Sequence, residues 1–168
     1  MLRYTFSPIR IFSGFAAIGV GVLIYMTLNP KLEVEPEPST DPAAPFGTLF
    51  GLHNKSVVAV LYKLSSAYCI NSFHSPGEDP AQANGAVRLG TLSQTVTLSD
   101  LSRGDTAVLP VENALSGPPG SEVDLVLVIK FQPGWWIDLV ERRYRFKGTE
   151  RQDKTWQWKQ LPAGGPCG

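Results

Sequence analysis

The sequence predicts an all-β protein: an antiparallel β-sandwich of seven or eight short strands, preceded by one transmembrane helix. Three observations predict it. Ile11–Leu28 (IFSGFAAIGVGVLIYMTL) is an uncharged, mostly apolar run of 18 residues, close to the ~20 needed to cross a bilayer's hydrocarbon core. From Phe46 onward, short segments rich in β-branched and aromatic residues are each bounded by Gly, Pro, Asn, Asp or Ser, the pattern of strands and turns. No amphipathic helical stretch of useful length competes with them. Beyond an anchor and a linker there remain roughly 120 residues, one domain of ordinary size that buries a core without metals or many disulfides.

The head, residues 1–10, carries Arg3 and Arg10, against Lys31 after the apolar run. The excess of cations before the run predicts an N-terminus in the cytoplasm and a domain in the periplasm, on an inner-membrane protein that crosses once. The following TLNPKLEV offers no small-residue cleavage site, so residues 11–28 read as a retained signal anchor rather than a cleaved signal peptide. Gly14, Gly19 and Gly21 form no strict GxxxG pair. Residues 29–45 hold prolines at 30, 36, 38, 42 and 45 among Glu33, Glu35, Glu37 and Asp41. Proline removes donors and fixes an extended backbone, so this stretch predicts a semi-rigid spacer that lifts the domain off the headgroups.

The sandwich is expected over residues 46–162, followed by a tail at 163–168. Its predicted strands are Gly47–His53, Val57–Tyr62, Ala67–Phe73, Val87–Leu98, Asp105–Val111, Val123–Phe131, Val140–Lys147 and Thr155–Leu161. That number and spacing suggest an immunoglobulin-like sandwich. Val58, Val60, Tyr62 and Leu64 alternate onto one face. Asp124 opens the run LVLVI, apolar on both faces and therefore central in a sheet. In Val140–Lys147, Tyr144 and Phe146 share one face while Arg143, Arg145 and Lys147 share the other. Trp156 and Trp158 point together, so these two segments predict a hairpin burying four aromatics, with Gly148 in its turn. Ser75–Gly85 and Asn113–Ser121 are rich in turn residues and read as loops.

The same residues argue against several kinds of chemistry. Net charge is zero, which gives no reason to expect nucleic acid. His53, His74, Cys69 and Cys167 lack metal-ligand spacing, and Glu78 and Asp79 beside His74 look like a polar turn. There is no GxSxG, no glycine-rich phosphate loop and no dinucleotide fingerprint, so no enzyme, cofactor or metal is expected. Cys69 and Cys167 either pair in an oxidising compartment, pinning the tail to an interior strand, or stand as a buried thiol and a free one. Asn54-Lys55-Ser56 matches a glycosylation sequon and also reads as a turn between strands.

Two features remain as a candidate interface. Arg142, Arg143, Arg145 and Lys147, with Arg151 and Lys154, form a basic stripe in one hairpin. It suits an acidic partner, anionic headgroups or a glycan, or else protects an edge strand. Trp135 and Trp136 follow Pro133-Gly134, and neighbours in an extended chain face opposite ways, so one of them is expected at an interface or over the open end of the sandwich.

The anchor, Pro45-Phe46, Asn54-Lys55-Ser56, Tyr68-Cys69, Leu101–Gly104, Asp124 with LVLVIKFQPGWW, Arg142–Phe146 and Trp156-Gln157-Trp158 together resemble uncharacterised single-pass bacterial envelope proteins with an immunoglobulin-like domain. The resemblance implies the fold and the compartment, and carries no catalytic residues. The expected function is a membrane-anchored periplasmic interaction or accessory module, a subunit or assembly factor of an envelope complex. The alternative is an anchored binding module for an anionic envelope polymer or glycan.

Overall fold

The computed structural model describes residues 16–25, 29–37, 50–56, 60–76, 90–109, 111, 121–134, 137–152, 156–164 and 167. Eight strands follow in order: β1 (Leu32–Pro36), β2 (Phe50–Asn54), β3 (Tyr62–His74), β4 (Val96–Thr97), β5 (Thr106–Leu109), β6 (Glu122–Gln132), β7 (Val140–Glu150) and β8 (Trp156–Leu161). They form two antiparallel sheets, one of order β1-β2-β5 and one of order β4-β3-β6-β7-β8. A helix over residues 16–25 precedes them with all its residues exposed. Among the described residues no helix is long and apolar enough to cross a membrane. Residues 11–15 and 26–28 of the expected anchor lie outside the described residues.

One core joins the sheets. Val34, Phe50, Leu52 and Leu109 of the smaller sheet pack in a single cluster with Leu64, Ile70, Leu125, Leu127, Ile129, Phe131 and Phe146 of the larger. β6 lies at the centre of its sheet, as a strand apolar on both faces requires. Its odd-numbered residues from Val123 to Phe131 enter this core, whereas Val126 and Val128 join a second cluster on the opposite face.

Part of the expected spacer belongs to the sandwich. Leu32–Pro36 is strand β1, in register with Asn54–Phe50 of β2. Leu32 and Val34 pack against the core while Glu33 and Glu35 point away. Its composition conceals a period-two pattern, and Pro36 is tolerated because β1 is an edge strand. The strand begins three residues after Asn29, so no proline-rich spacer separates the helix from the sheet. Residues 38–45 lie outside the described residues.

β3 extends the expected strand Ala67–Phe73 back to Tyr62; of the expected strand Val57–Tyr62, residues 57–59 lie outside the described residues and Leu61 makes an isolated bridge to Leu101. An extra residue on β3 between the Tyr62–Gln132 and Ser65–Lys130 pairs makes a bulge, where Lys63 takes a left-handed φ of 49°. Its N–H is held by Asp100 Oδ1 at 3.1 Å. The bulge turns Leu61 and Leu64 to the same buried side. The core face is therefore Leu61/Leu64 rather than the alternation Val58, Val60, Tyr62, Leu64; Val58 lies outside the described residues. A second bulge places Asn71 between the Ile70–Leu125 and Ser72–Asp124 pairs, after which Phe73 returns to the core.

The expected strand Val87–Leu98 is reduced, within its described residues 90–98, to β4 and one bridge from Leu92 to Cys69. The hairpin of β7 and β8 buries Phe146 fully and packs Tyr144, Trp156 and Trp158 against the core. Gly148 is not in its turn. It lies within β7 opposite Trp158, where an added Cβ would come 2.7 Å from the indole ring. The larger side chains that favour strands are excluded there because Trp158 occupies their space.

Candidate functional site

The basic stripe lies on the face of the larger sheet turned away from the core. Strand alternation presents Glu141, Arg143, Arg145 and Lys147 from β7, and the register sets them opposite Lys130, Val128, Val126 and Asp124 of β6. Each cation reaches a carboxylate. Arg143 Nη2 lies 2.6 Å from Glu141 Oε1, and Lys130 Nζ lies 3.4 Å from Glu141 Oε2. Arg145 forks onto Asp124, with Nε donating to Oδ1 at 2.9 Å and Nη2 to Oδ2 at 2.5 Å. Lys147 Nζ lies 2.8 Å from Glu122 Oε2. Arg142 points to the other face, where its Nη2 donates to Asn29 Oδ1 at 2.6 Å. Arg151 donates to Gln157 at 3.0 Å, and Lys154 lies outside the described residues.

These pairs move the protonation equilibria as charge pairing requires. The hydrogen bond from Arg143 holds the Glu141 carboxyl below the usual carboxylate range, with Lys130 adding to it. Asp124 raises the already high Arg145 guanidinium further. The stripe is therefore a ladder of alternating signs rather than a block of positive charge. Its cations were visible in the sequence. Their pairing with Glu122 and Asp124 was not, because only the β6–β7 register brings those carboxylates alongside.

The tail crosses this face. Cys167 is joined by a disulfide to Cys69, 98 residues earlier, with Cα atoms 6.1 Å apart. The Cys167 N–H donates to Asn71 Oδ1 at 3.2 Å, and its carbonyl accepts from Arg143 Nη1 at 2.7 Å. Asn71 in turn donates to Asp124 Oδ1 at 3.3 Å. The bulge at Asn71 thus aims an amide at the strap and the stripe together. Cys69, Val126, Val128 and Cys167 close a small buried cluster beneath. With both sulfurs in the cross-link, neither is available as a nucleophile or metal ligand.

Two depressions lie on this face, one of them beside the strap. One, of about 10 Å³, lies among Val126, Arg143, Arg145 and Gly164; the other, of about 20 Å³, lies among Ser66, Leu92, Thr95 and Lys130. Each has room for about one water. Among the described residues no group of three or more His, Cys, Asp or Glu side chains is placed to hold a metal. His53 meets Thr106 Oγ1 through Nδ1 at 2.9 Å, with Glu35 at 3.9 Å from Nε2.

Trp135 and Trp136 lie outside the described residues. Around them the chain is braced by the Gln132 side chain, which donates to Ile137 O at 2.5 Å, and by Ile137 N–H donating to Gly134 O at 3.0 Å. The sequon asparagine has a structural duty. Asn54 is 0% exposed; its Nδ2 donates to Leu101 O at 3.1 Å and its Oδ1 accepts from Ser56 N–H at 3.1 Å. Comparison with protein-family profiles, curated proteins and solved structures found no match.

Proposed function

We infer that the chain is a membrane-anchored accessory module, which presents an immunoglobulin-like sandwich in the periplasm to a protein partner of an envelope complex. The observation that carries this reading is the strapped outer face of the larger sheet. A disulfide from Cys69 to Cys167 persists in an oxidising compartment and rarely in a reducing one. The face it braces holds charges of both signs paired across its strands, and the two depressions found on it among the described residues are of water size. Fixed charges of alternating sign set register and partner choice between proteins. A polyanion draws on a net positive field, which the Glu122, Asp124 and Glu141 partners largely cancel, so the protein partner is the better reading.

Connectivity supports the immunoglobulin-like assignment. The order β1-β2-β5 corresponds to strands A, B and E, and β3, β6 and β7 to C, F and G, with β4 in the place of C′. The helix over 16–25 supports the anchor, because it lies within the apolar run 11–28 and leaves Ile18, Leu23 and Ile24 more than half exposed. Contacts with the partner are assigned to the face carrying Arg143, Arg145 and Lys147, where Lys159 stands opposite Lys147, and to the Trp135–Trp136 segment between β6 and β7.

Purification of the full chain from its native membranes in mild detergent tests the reading. Lys147→Gln with Lys159→Gln, or Trp135→Ala with Trp136→Ala, should reduce recovery of a stoichiometric partner with little change in the unfolding midpoint. Recovery of no partner by the native chain, or no loss from either pair, sinks the interaction. Free thiols at Cys69 and Cys167 in intact cells would sink the compartment.

A further inference from the structure

The junction of helix and sandwich shows which part of the domain meets lipid. Asn29 stands four residues after Tyr25, at the end of the helix, and its N–H donates to the Tyr25 carbonyl at 3.0 Å. Its side chain accepts from Arg142 at 2.6 Å, and β1 begins at Leu32. The helix therefore enters the sandwich at one end, where β1 starts, β2 and β6 finish, and β3 and β7 begin.

That end carries Lys31, Lys55, Lys63, Arg103 and Arg142 together with Asp100, Asp105 and Asp138. Lys55 is engaged by Glu33 and Glu35, whereas Lys31, Lys63 and Arg103 are exposed. Leu139, just before β7, is 57% exposed. Exposed Lys31, Lys63 and Arg103 and the aliphatic Leu139, at the end where the helix enters, give this end long cationic side chains for lipid phosphates and an apolar contact for the acyl boundary.

We propose that this end of the sandwich rests on the headgroup layer of the bilayer, with Leu139 dipping toward the acyl boundary and Lys31, Lys63 and Arg103 meeting lipid phosphates. The proposal rests on the anchor reading of residues 11–28. It stands the strands on the membrane by their ends and leaves the strapped sheet face directed sideways, toward a neighbouring membrane protein. It also replaces the expected spacer, since a domain held by Asn29 and Arg142 is not lifted off the surface.

The test uses the full chain in nanodiscs containing anionic lipid. A fluorophore is placed on Leu139→Cys or on Gln152→Cys, beyond the far end of β7, with the native cysteines left in their disulfide. The far end stands ~35 Å away along β6. A headgroup-borne spin label should abolish most of the fluorescence at position 139 and little at 152. Lys63→Glu with Arg103→Glu should restore the signal at 139. Equal signals at the two sites in chain that remains lipid-bound after alkaline carbonate overturn the proposal and spare the anchor. Loss of the chain from lipid under carbonate overturns the anchor, and the proposal with it.

Discussion

Opening the Cys69–Cys167 disulfide should destabilise the sandwich by about 3 kcal/mol. The two cysteines are 98 residues apart, and closing a loop of that size removes unfolded-chain entropy worth up to ~4.7 kcal/mol, with typical measured values of ~2–4. The folded state loses something as well. Without the covalent tie, Cys167 keeps two hydrogen bonds, to Asn71 and Arg143, each contributing about 1 kcal/mol net. Ordering backbone costs ~1–2 kcal/mol per residue, which those bonds do not offset over the tail, so Cys167 leaves the sheet and uncovers Val126 and Val128. Urea unfolding of the full chain in mild detergent, followed by tryptophan fluorescence, measures the difference between oxidised chain, reduced chain and the Cys69→Ala/Cys167→Ala variant. Thermal midpoints should fall by roughly 10 °C in the last two. Truncation after Leu161 in the Cys69→Ala background should match them. Coincident oxidised and reduced curves would refute the reasoning, because the loop would then impose no constraint on the unfolded chain.

Gly148→Ala should cost about 1–3 kcal/mol, since its Cβ would meet the Trp158 ring at 2.7 Å. That ring is held by Phe50 and Trp156 at centroid distances of 5.0 and 5.7 Å, and a near-ultraviolet dichroism change should accompany the lower urea midpoint. Asn54→Ala should cost about 1–3 kcal/mol, because Ser56 N–H loses its buried acceptor while Leu101 O loses one of two donors and keeps the Leu61 N–H; an unchanged midpoint would mean that water replaces the amide. Acid should weaken the fold through Glu33, held below its ordinary 4.5 chiefly by Lys55, and Glu141, held below it by Arg143. The folded chain binds these protons less tightly than the unfolded one, so their contribution is complete above the ordinary value and lost as pH falls through the folded ones. Lys55→Met should flatten the Glu33 share of that decline in urea midpoints measured across the acid range.

Legibility followed the range over which each feature is specified. β6 and β7 were readable because LVLVI and the Tyr144/Phe146 alternation are local patterns of apolar side chains. β1 was hidden because Leu32 and Val34 sit among glutamates and prolines whose composition points to a spacer. The start of β3 at Tyr62 was not legible because a bulge at Lys63 breaks the alternation, and nothing local marks a lysine for a left-handed φ. The basic stripe was legible as residues but not as an electrostatic surface. Arg145 finds Asp124 and Lys147 finds Glu122 only through inter-strand register.

The sequence by itself determined a mostly β chain with an apolar N-terminal run, the central place of β6, and the aromatic hairpin of β7 and β8. Burial of apolar surface at period two is written residue by residue and needs no distant partner. Tertiary structure alone decided that Leu32–Pro36 completes the smaller sheet, that Gly148 makes room for Trp158, and that the tail is fastened across a charge-balanced face by Cys69 and Cys167. Each joins groups far apart in the chain, and their meeting depends on how strands pair and sheets stack.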